Sequence, residues 1–136
     1  MMDYQFSHRL RVRYSEIDGQ KVVYNSHYLT YIDVAVTEYF ERILSQEEAS
    51  RFDYVLAKAT LEYKRSAYFY DWLTVWCRMD NIGNKSMTMN FMITREDEVE
   101  PVLLAEIIYV YVDPKTILPS PVPDFVRKRI EQFKHE

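Results

Sequence analysis

One change of hydrophobic period constrains this chain more than anything else in its sequence. From His27 to about Ser45, apolar residues recur at steps of three and four: Tyr28, Ile32, Ala35, Val36, Tyr39, Phe40, Ile43 and Leu44. That spacing predicts one long amphipathic helix with a wide buried stripe, capped at Asn25 or Ser26. Beyond a polar connector, Gln46-Glu47-Glu48, the period drops to two and stays there. In 54–63, Val55, Ala57, Ala59, Leu61 and Tyr63 share one face; in 71–80, Leu73, Val75, Cys77 and Met79 oppose Trp72, Thr74 and Trp76. In 85–95, Met87, Met89, Phe91 and Ile93 oppose Ser86, Thr88, Asn90 and Thr94. Residues 102–112 are apolar on both faces, as a central strand requires.

The ends complete the pattern. Residues 4–14 alternate, with Phe6, Leu10 and Val12 set against Arg9, Arg11 and Arg13, and read as a further strand. Asp18-Gly19 marks a turn before the helix, Asn81-Ile82-Gly83-Asn84 a hairpin, and Glu96–Glu100 another connection. The segment Asp113–Pro123 holds four of the five prolines and reads as extended; Asp124–Phe133 resumes helical spacing. The expectation is an α+β domain, one long helix against an antiparallel sheet of about five strands plus a short C-terminal helix. At 136 residues this is one domain spanning 1–136. The helix covers one sheet face only, so the face bearing Trp72 and Trp76 calls for a second cover, most simply a subunit partner.

Composition removes several classes of function. With only 2 glycines, neither a dinucleotide fingerprint nor a phosphate loop can be built. A net charge of −4 argues against nucleic acid as a partner. The single Cys and three scattered His give no metal-ligand spacing, so no metal is expected. The N-terminus lacks an apolar signal region, and no apolar run approaches the ~20 residues of a membrane span. A cytoplasmic protein without membrane insertion is the expectation.

The segment carrying most chemistry runs from Asp18 to Tyr28, between the first strand and the long helix. A helix start presents unpaired N–H groups and partial positive charge, which suit an oxygen that turns negative during acyl transfer. A carboxylate a few residues upstream can attack a carbonyl or activate water. From spacing alone the signal is weak, since an Asp before a Gly is far more often a turn former than a catalyst.

The stretch RVRYSEIDGQKVVYNSHYLTYIDVA resembles the 4-hydroxybenzoyl-CoA thioesterase family, nearest its Tol-Pal-associated acyl-CoA branch. The likeness continues through LEYKRSAYFYDWLTVWCRMDNIGNKSMTMNFMITRED and YVYVDPKTILPSPVPDFVRKRIEQF, nearly the whole chain. It implies a hotdog fold, a curved antiparallel sheet wrapped around one long helix. It also implies a homodimer or homotetramer with sites at the subunit interface, and hydrolysis of an acyl-CoA thioester. No cofactor is implied, since coenzyme A is part of the substrate. Asp18 aligns with the family's carboxylate, nucleophile or general base. Asn25 aligns with the residue whose backbone N–H polarises the thioester carbonyl, at a position where relatives carry Tyr or His. Lys21 stands where a glycine is common. Val23, Tyr24 and Tyr28 become candidates for the acyl pocket, with helix-start packing as the alternative for the two tyrosines. Lys64, Arg65, Lys85 and Ser86 become candidates for the coenzyme A side, with solvated strand ends as the alternative. Asp33 reads as structural, Cys77 as core and His27 as a surface residue of the first helical turn. Two other functions stay open: an acyl-ACP thioesterase, and a hotdog protein that binds acyl-CoA without hydrolysing it.

Overall fold

The structure, a computed structural model, describes residues 3–136. Strand β1 (Phe6–Arg11) is followed by a short 3-10 turn (Tyr14–Glu16) and then helix α1 (His27–Ile43). A one-turn helix α2 (Gln46–Ala49) leads into β2 (Asp53–Tyr63), β3 (Trp72–Ile82), β4 (Ser86–Arg95) and β5 (Pro101–Val112), and α3 (Asp124–Lys134) closes the chain. The strands form one antiparallel sheet in the order β1-β3-β4-β5-β2, so β1 and β2 are its edges. Strand β5, apolar on both faces, is internal as expected, paired with β4 on one side and β2 on the other.

Helix α1 fills the concave face of this sheet. Its predicted stripe is buried throughout, joined by Tyr31, and packs against Leu73, Val75, Cys77, Met87, Met89, Phe91 and Ile107 in one core. Tyr39, at the centre, meets Phe6, Phe40 and Phe133 edge-on, which locks β1 and α3 onto the helix. Ser26 is the N-cap, without a side-chain capping bond.

Several local expectations change. The Gln46-Glu47-Glu48 connector is helical because Ser45 and Glu48 form a reciprocal capping box. Strand β2 carries a bulge between Leu56 and Lys58, so Val55 and Ala57 do not share a face with Ala59 and Leu61. The inserted residue flips the alternation, which period-two reading cannot see. Strand β3 runs through Ile82, and the hairpin turn is Gly83-Asn84-Lys85 rather than Asn81–Asn84. Gly83 sits tightly in that turn, since a Cβ would meet Ser86 Oγ at 3.0 Å and the serine side chain would have to move. The segment after β5 begins as a turn, with Asp113 Oδ1 accepting from the N–H groups of Lys115 and Thr116, before it extends.

The tryptophan face is largely covered from within the chain. Arg9 stacks over Trp72 at 4.0 Å, and Trp76 Nε1–H donates to Thr94 Oγ1 at 3.0 Å. The more exposed apolar residues of the sheet lie on edge strand β2, where Val55 is 47% and Leu56 41% accessible.

The link from β1 to α1 turns on Glu16, a carboxylate only 3% exposed. Its Oε1 accepts from the Arg13 N–H at 2.8 Å and the Tyr31 hydroxyl at 2.8 Å, and Oε2 accepts from Arg13 Nε at 2.7 Å. Burial pushes this carboxyl up, but the Arg13 and Tyr31 hydrogen bonds outweigh it and hold the group below its ordinary value. Because the folded form is the more acidic, Glu16 stabilises the fold above the unfolded carboxyl pKa of about 4.3 and loses that effect as pH falls through its lower folded value. Chemical denaturation of wild type and Glu16→Gln at neutral pH and near pH 3 checks this: the stability gap between them narrows in acid. Farther along the link, Lys21 holds φ = 66°, the left-handed region that costs an L-residue roughly 1–2 kcal/mol. Relief of that cost, less the extra entropy glycine loses on folding, predicts that Lys21→Gly stabilises the protein by up to about 1 kcal/mol in urea melts.

Candidate active site

Residues 16–24 form a narrow antiparallel loop. The Tyr24 N–H donates to the Glu16 carbonyl at 3.0 Å, the Asp18 N–H to the Val22 carbonyl at 2.9 Å and the Lys21 N–H to the Asp18 carbonyl at 2.9 Å. Asp18-Gly19 is therefore a turn, as its dipeptide suggested, but the left-handed residue is Lys21, three positions after the carboxylate. That backbone demand explains why a glycine suits this position. The Asp18 side chain accepts the Gln20 N–H on Oδ1 at 2.8 Å, and among the described residues Oδ2 takes no protein hydrogen bond.

A second layer docks the loop onto the segment between β2 and β3. Val22 bridges to Tyr68, and the Val23 N–H donates to the Ala67 carbonyl at 2.9 Å. Ala67 returns its own N–H to the Tyr28 hydroxyl oxygen at 3.1 Å. Tyr28 is 3% exposed, and burial pushes its phenol up, so it stays neutral through the physiological range. Its ring packs edge-on against Tyr63, whose hydroxyl donates to the Asn25 carbonyl at 3.2 Å. Tyr63 thus ties the end of β2 to the start of α1.

These layers border an open pocket of about 440 Å³. Asp18, Val23, Asn25, Tyr28, Lys64 and Arg65, six of the expected residues, all line it, together with Gln20, Val22, Tyr63 and Ser66. Among the described residues the Asn25 backbone N–H donates to no protein acceptor, whereas the Tyr24 and His27 N–H groups are both taken. A residue with a free carboxylate oxygen and a residue with an unpaired N–H just before the helix thus line one space. Lys64 contacts Glu62 at 3.1 Å and Arg65 contacts Glu98 at 3.2 Å, both as exposed pairs that water and ions screen.

Three expected residues lie elsewhere. Tyr24 is 54% exposed and turns its ring toward His27, outside the cavity. Lys85 and Ser86 sit at the opposite end of the sheet: Ser86 pairs with Val110, whereas Tyr63 pairs with Leu103. Seven residues of strand β5 separate those levels, about 23 Å, so neither reaches this cavity within one chain. Asp33 does not line it either; its carboxyl is pushed up by partial desolvation on α1. Cys77 is fully buried, and burial pushes its thiol up to about 12, as a core residue requires. Among the described residues no cluster of His, Cys, Asp or Glu could hold a metal ion. Sequence reasoning assigned no role to Glu16 or Tyr63. Both were visible in outline, Glu16 inside RVRYSEID and Tyr63 beside Lys64.

Known proteins share this architecture. The profile of the Thioesterase-like superfamily matches residues 12–130. The long-chain acyl-CoA thioesterase FadM of Escherichia coli K12 is 27% identical over 127 residues, covering 92% of this chain and 96% of that protein. The acyl-CoA thioester hydrolase YbgC of Escherichia coli O157:H7 is 28% identical over 130 residues, covering 92% of each. A Thermus thermophilus thioesterase solved with coenzyme A and Zn superposes with a TM-score of 0.87 at 25% identity, covering 100% of this chain and 98% of that one. With its helix-filled five-stranded sheet and a profile match over most of its length, the chain is a hotdog-fold member of the thioesterase-like superfamily.

Proposed function

We propose that this protein hydrolyses an acyl-CoA thioester to the free acid and coenzyme A. The observation that supports the reading is the shared pocket, which both Asp18 and Asn25 line, Asn25 with a backbone N–H that meets no protein acceptor among the described residues. Acting as a general base, Asp18 takes a proton from water while the oxygen attacks the thioester carbonyl. Acting as a nucleophile, it forms a mixed anhydride with loss of the thiolate, and water then cleaves that anhydride. In both routes negative charge gathers on the carbonyl oxygen, where the Asn25 N–H and the start of α1 stabilise it. The carbon–sulfur bond breaks and the thiolate leaves to be protonated. The Tyr28 and Tyr63 rings flank the space, and Lys64 and Arg65 offer cations for coenzyme A phosphates. The 4-hydroxybenzoyl-CoA branch remains the finer placement, supported by the RVRYSEID and VVYNSHY segments.

The working unit is a homodimer or homotetramer. Support comes from β2, an 11-residue edge strand with exposed Val55 and Leu56, which is a template for antiparallel pairing with a second copy. Such pairing sets the far end of the second sheet beside Tyr63 and Lys64, and so gives Lys85 and Ser86 a route into a shared site. Sedimentation of wild type and Val55→Asp tests the assembly: the variant shifts toward monomer.

The activity is tested by thiol release from a panel of aliphatic and aromatic acyl-CoAs. Wild type turns over at least one of them, and Asp18→Asn loses at least about 1,000-fold in kcat with an unchanged melting midpoint. Near wild-type turnover in Asp18→Asn removes the assignment. Tight acyl-CoA binding without thiol release across the panel favours a binding protein, and faster turnover of the same acyl chain on carrier protein favours an acyl-ACP substrate.

A further inference from the structure

We propose that Glu16 is the positioning residue of this site, fixing the separation between Asp18 and the Asn25 N–H; the inference rests on the hydrolase reading above. Glu16 is bonded at both ends. Its carboxylate is held by the Arg13 N–H and guanidinium, which leave β1, and by the Tyr31 hydroxyl, which stands on the second turn of α1. Its carbonyl accepts the Tyr24 N–H at 3.0 Å. Asp18 follows Glu16 by two residues and Asn25 follows Tyr24 by one. The Glu16–Tyr24 bond is therefore the rung that joins the strand carrying the carboxylate to the strand carrying the oxyanion donor. Tyr31 ties that rung to the helix whose N-terminus points at the developing charge.

The chemistry of the clamp needs a carboxylate. Ionised, it accepts every bond its side chain makes, and the exposed Arg13 guanidinium offsets the cost of burying its charge. An amide of the same shape keeps one acceptor but turns an NH2 group toward the Arg13 guanidinium. The loop then shifts relative to the helix start, while the cavity walls that bind coenzyme A stay in place. Loss of placement without loss of binding lowers kcat and leaves KM alone.

The test is steady-state thiol release by wild type, Asp18→Asn, Glu16→Gln, Tyr31→Phe and, as a stability control, Ile130→Val in the core of α3. Rates are expressed per folded molecule, well below each melting midpoint. Glu16→Gln is expected to lower kcat about tenfold with KM within about twofold, and Tyr31→Phe to lower kcat severalfold. Ile130→Val lowers the melting midpoint without changing kcat. Should Glu16→Gln fail to fold, Tyr31→Phe decides alone. A kcat equal to wild type in the folded Glu16 and Tyr31 variants, with Asp18→Asn inactive, overturns the positioning role and leaves the hydrolase reading intact. A wild type that releases no thiol overturns both.

Discussion

A single 17-residue helix has to fill the concave face of five strands, and the rest of the structure depends on how it does so. Tyr28, Tyr31, Ile32, Ala35, Val36, Tyr39, Phe40 and Ile43 are all buried on that face. The larger of these side chains each contribute on the order of 1.5–3 kcal/mol of burial, so the axial position and rotation of the helix are fixed by many contacts at once. Once the helix is fixed, so is its N-terminus. It emerges beside the exit of β1 and the segment joining β2 to β3, where the chain must supply partners for unpaired N–H groups. The site lies where the packing problem leaves backbone donors over.

The loop before the helix answers that problem with backbone bonds rather than regular structure. Glu16, Asp18 and Ala67 provide the acceptors, and Tyr28 and Tyr63 close the layer with their hydroxyls. Burying the Glu16 carboxylate is costly, and the cost is offset by charge-assisted bonds from Arg13 and by the Tyr31 hydroxyl. The loop is held by several backbone bonds and strained at Lys21, and such strain is often found where geometry serves chemistry rather than stability.

The architecture was legible because burial writes its period into sequence: the α1 stripe and the inward rows of β3 and β4 lie where their periods placed them, and β5, apolar on both faces, is internal. Features without a period were not. The β2 bulge inserts a residue without changing composition, and the α2 turn rests on a capping box hidden in a polar run. Strand order depends on long-range pairing that no local window contains. At the site, Asp18, Val23, Asn25 and Tyr28 come together because they share one loop and helix start, whereas Lys64 and Arg65 are brought in by long-range docking of the segment after β2. Lys85 and Ser86 were grouped by residue type and strand-end position, which are blind to which end of the sheet a turn occupies. Glu16 escaped because a buried carboxylate and a solvated one look alike in a string of letters.

The cations at the cavity mouth bear on how a phosphate-rich carrier would be held. Lys64 and Arg65 are already engaged with Glu62, Glu98 and Glu100. Those pairs are solvent-exposed, and such pairs stabilise a fold by only about 0–1 kcal/mol, so a phosphate can displace the carboxylates at little cost. What the pairs do provide is a local charge balance that keeps two adjacent cations from repelling in the free protein. A carrier held this way is bound through contacts that salt weakens, whereas the Asp18 and Asn25 geometry is set by buried bonds that salt scarcely reaches. In the proposed reaction, binding and chemistry would therefore be governed by different physics within one pocket, with exposed ion pairs giving way to the carrier and a buried hydrogen-bonded frame holding the loop.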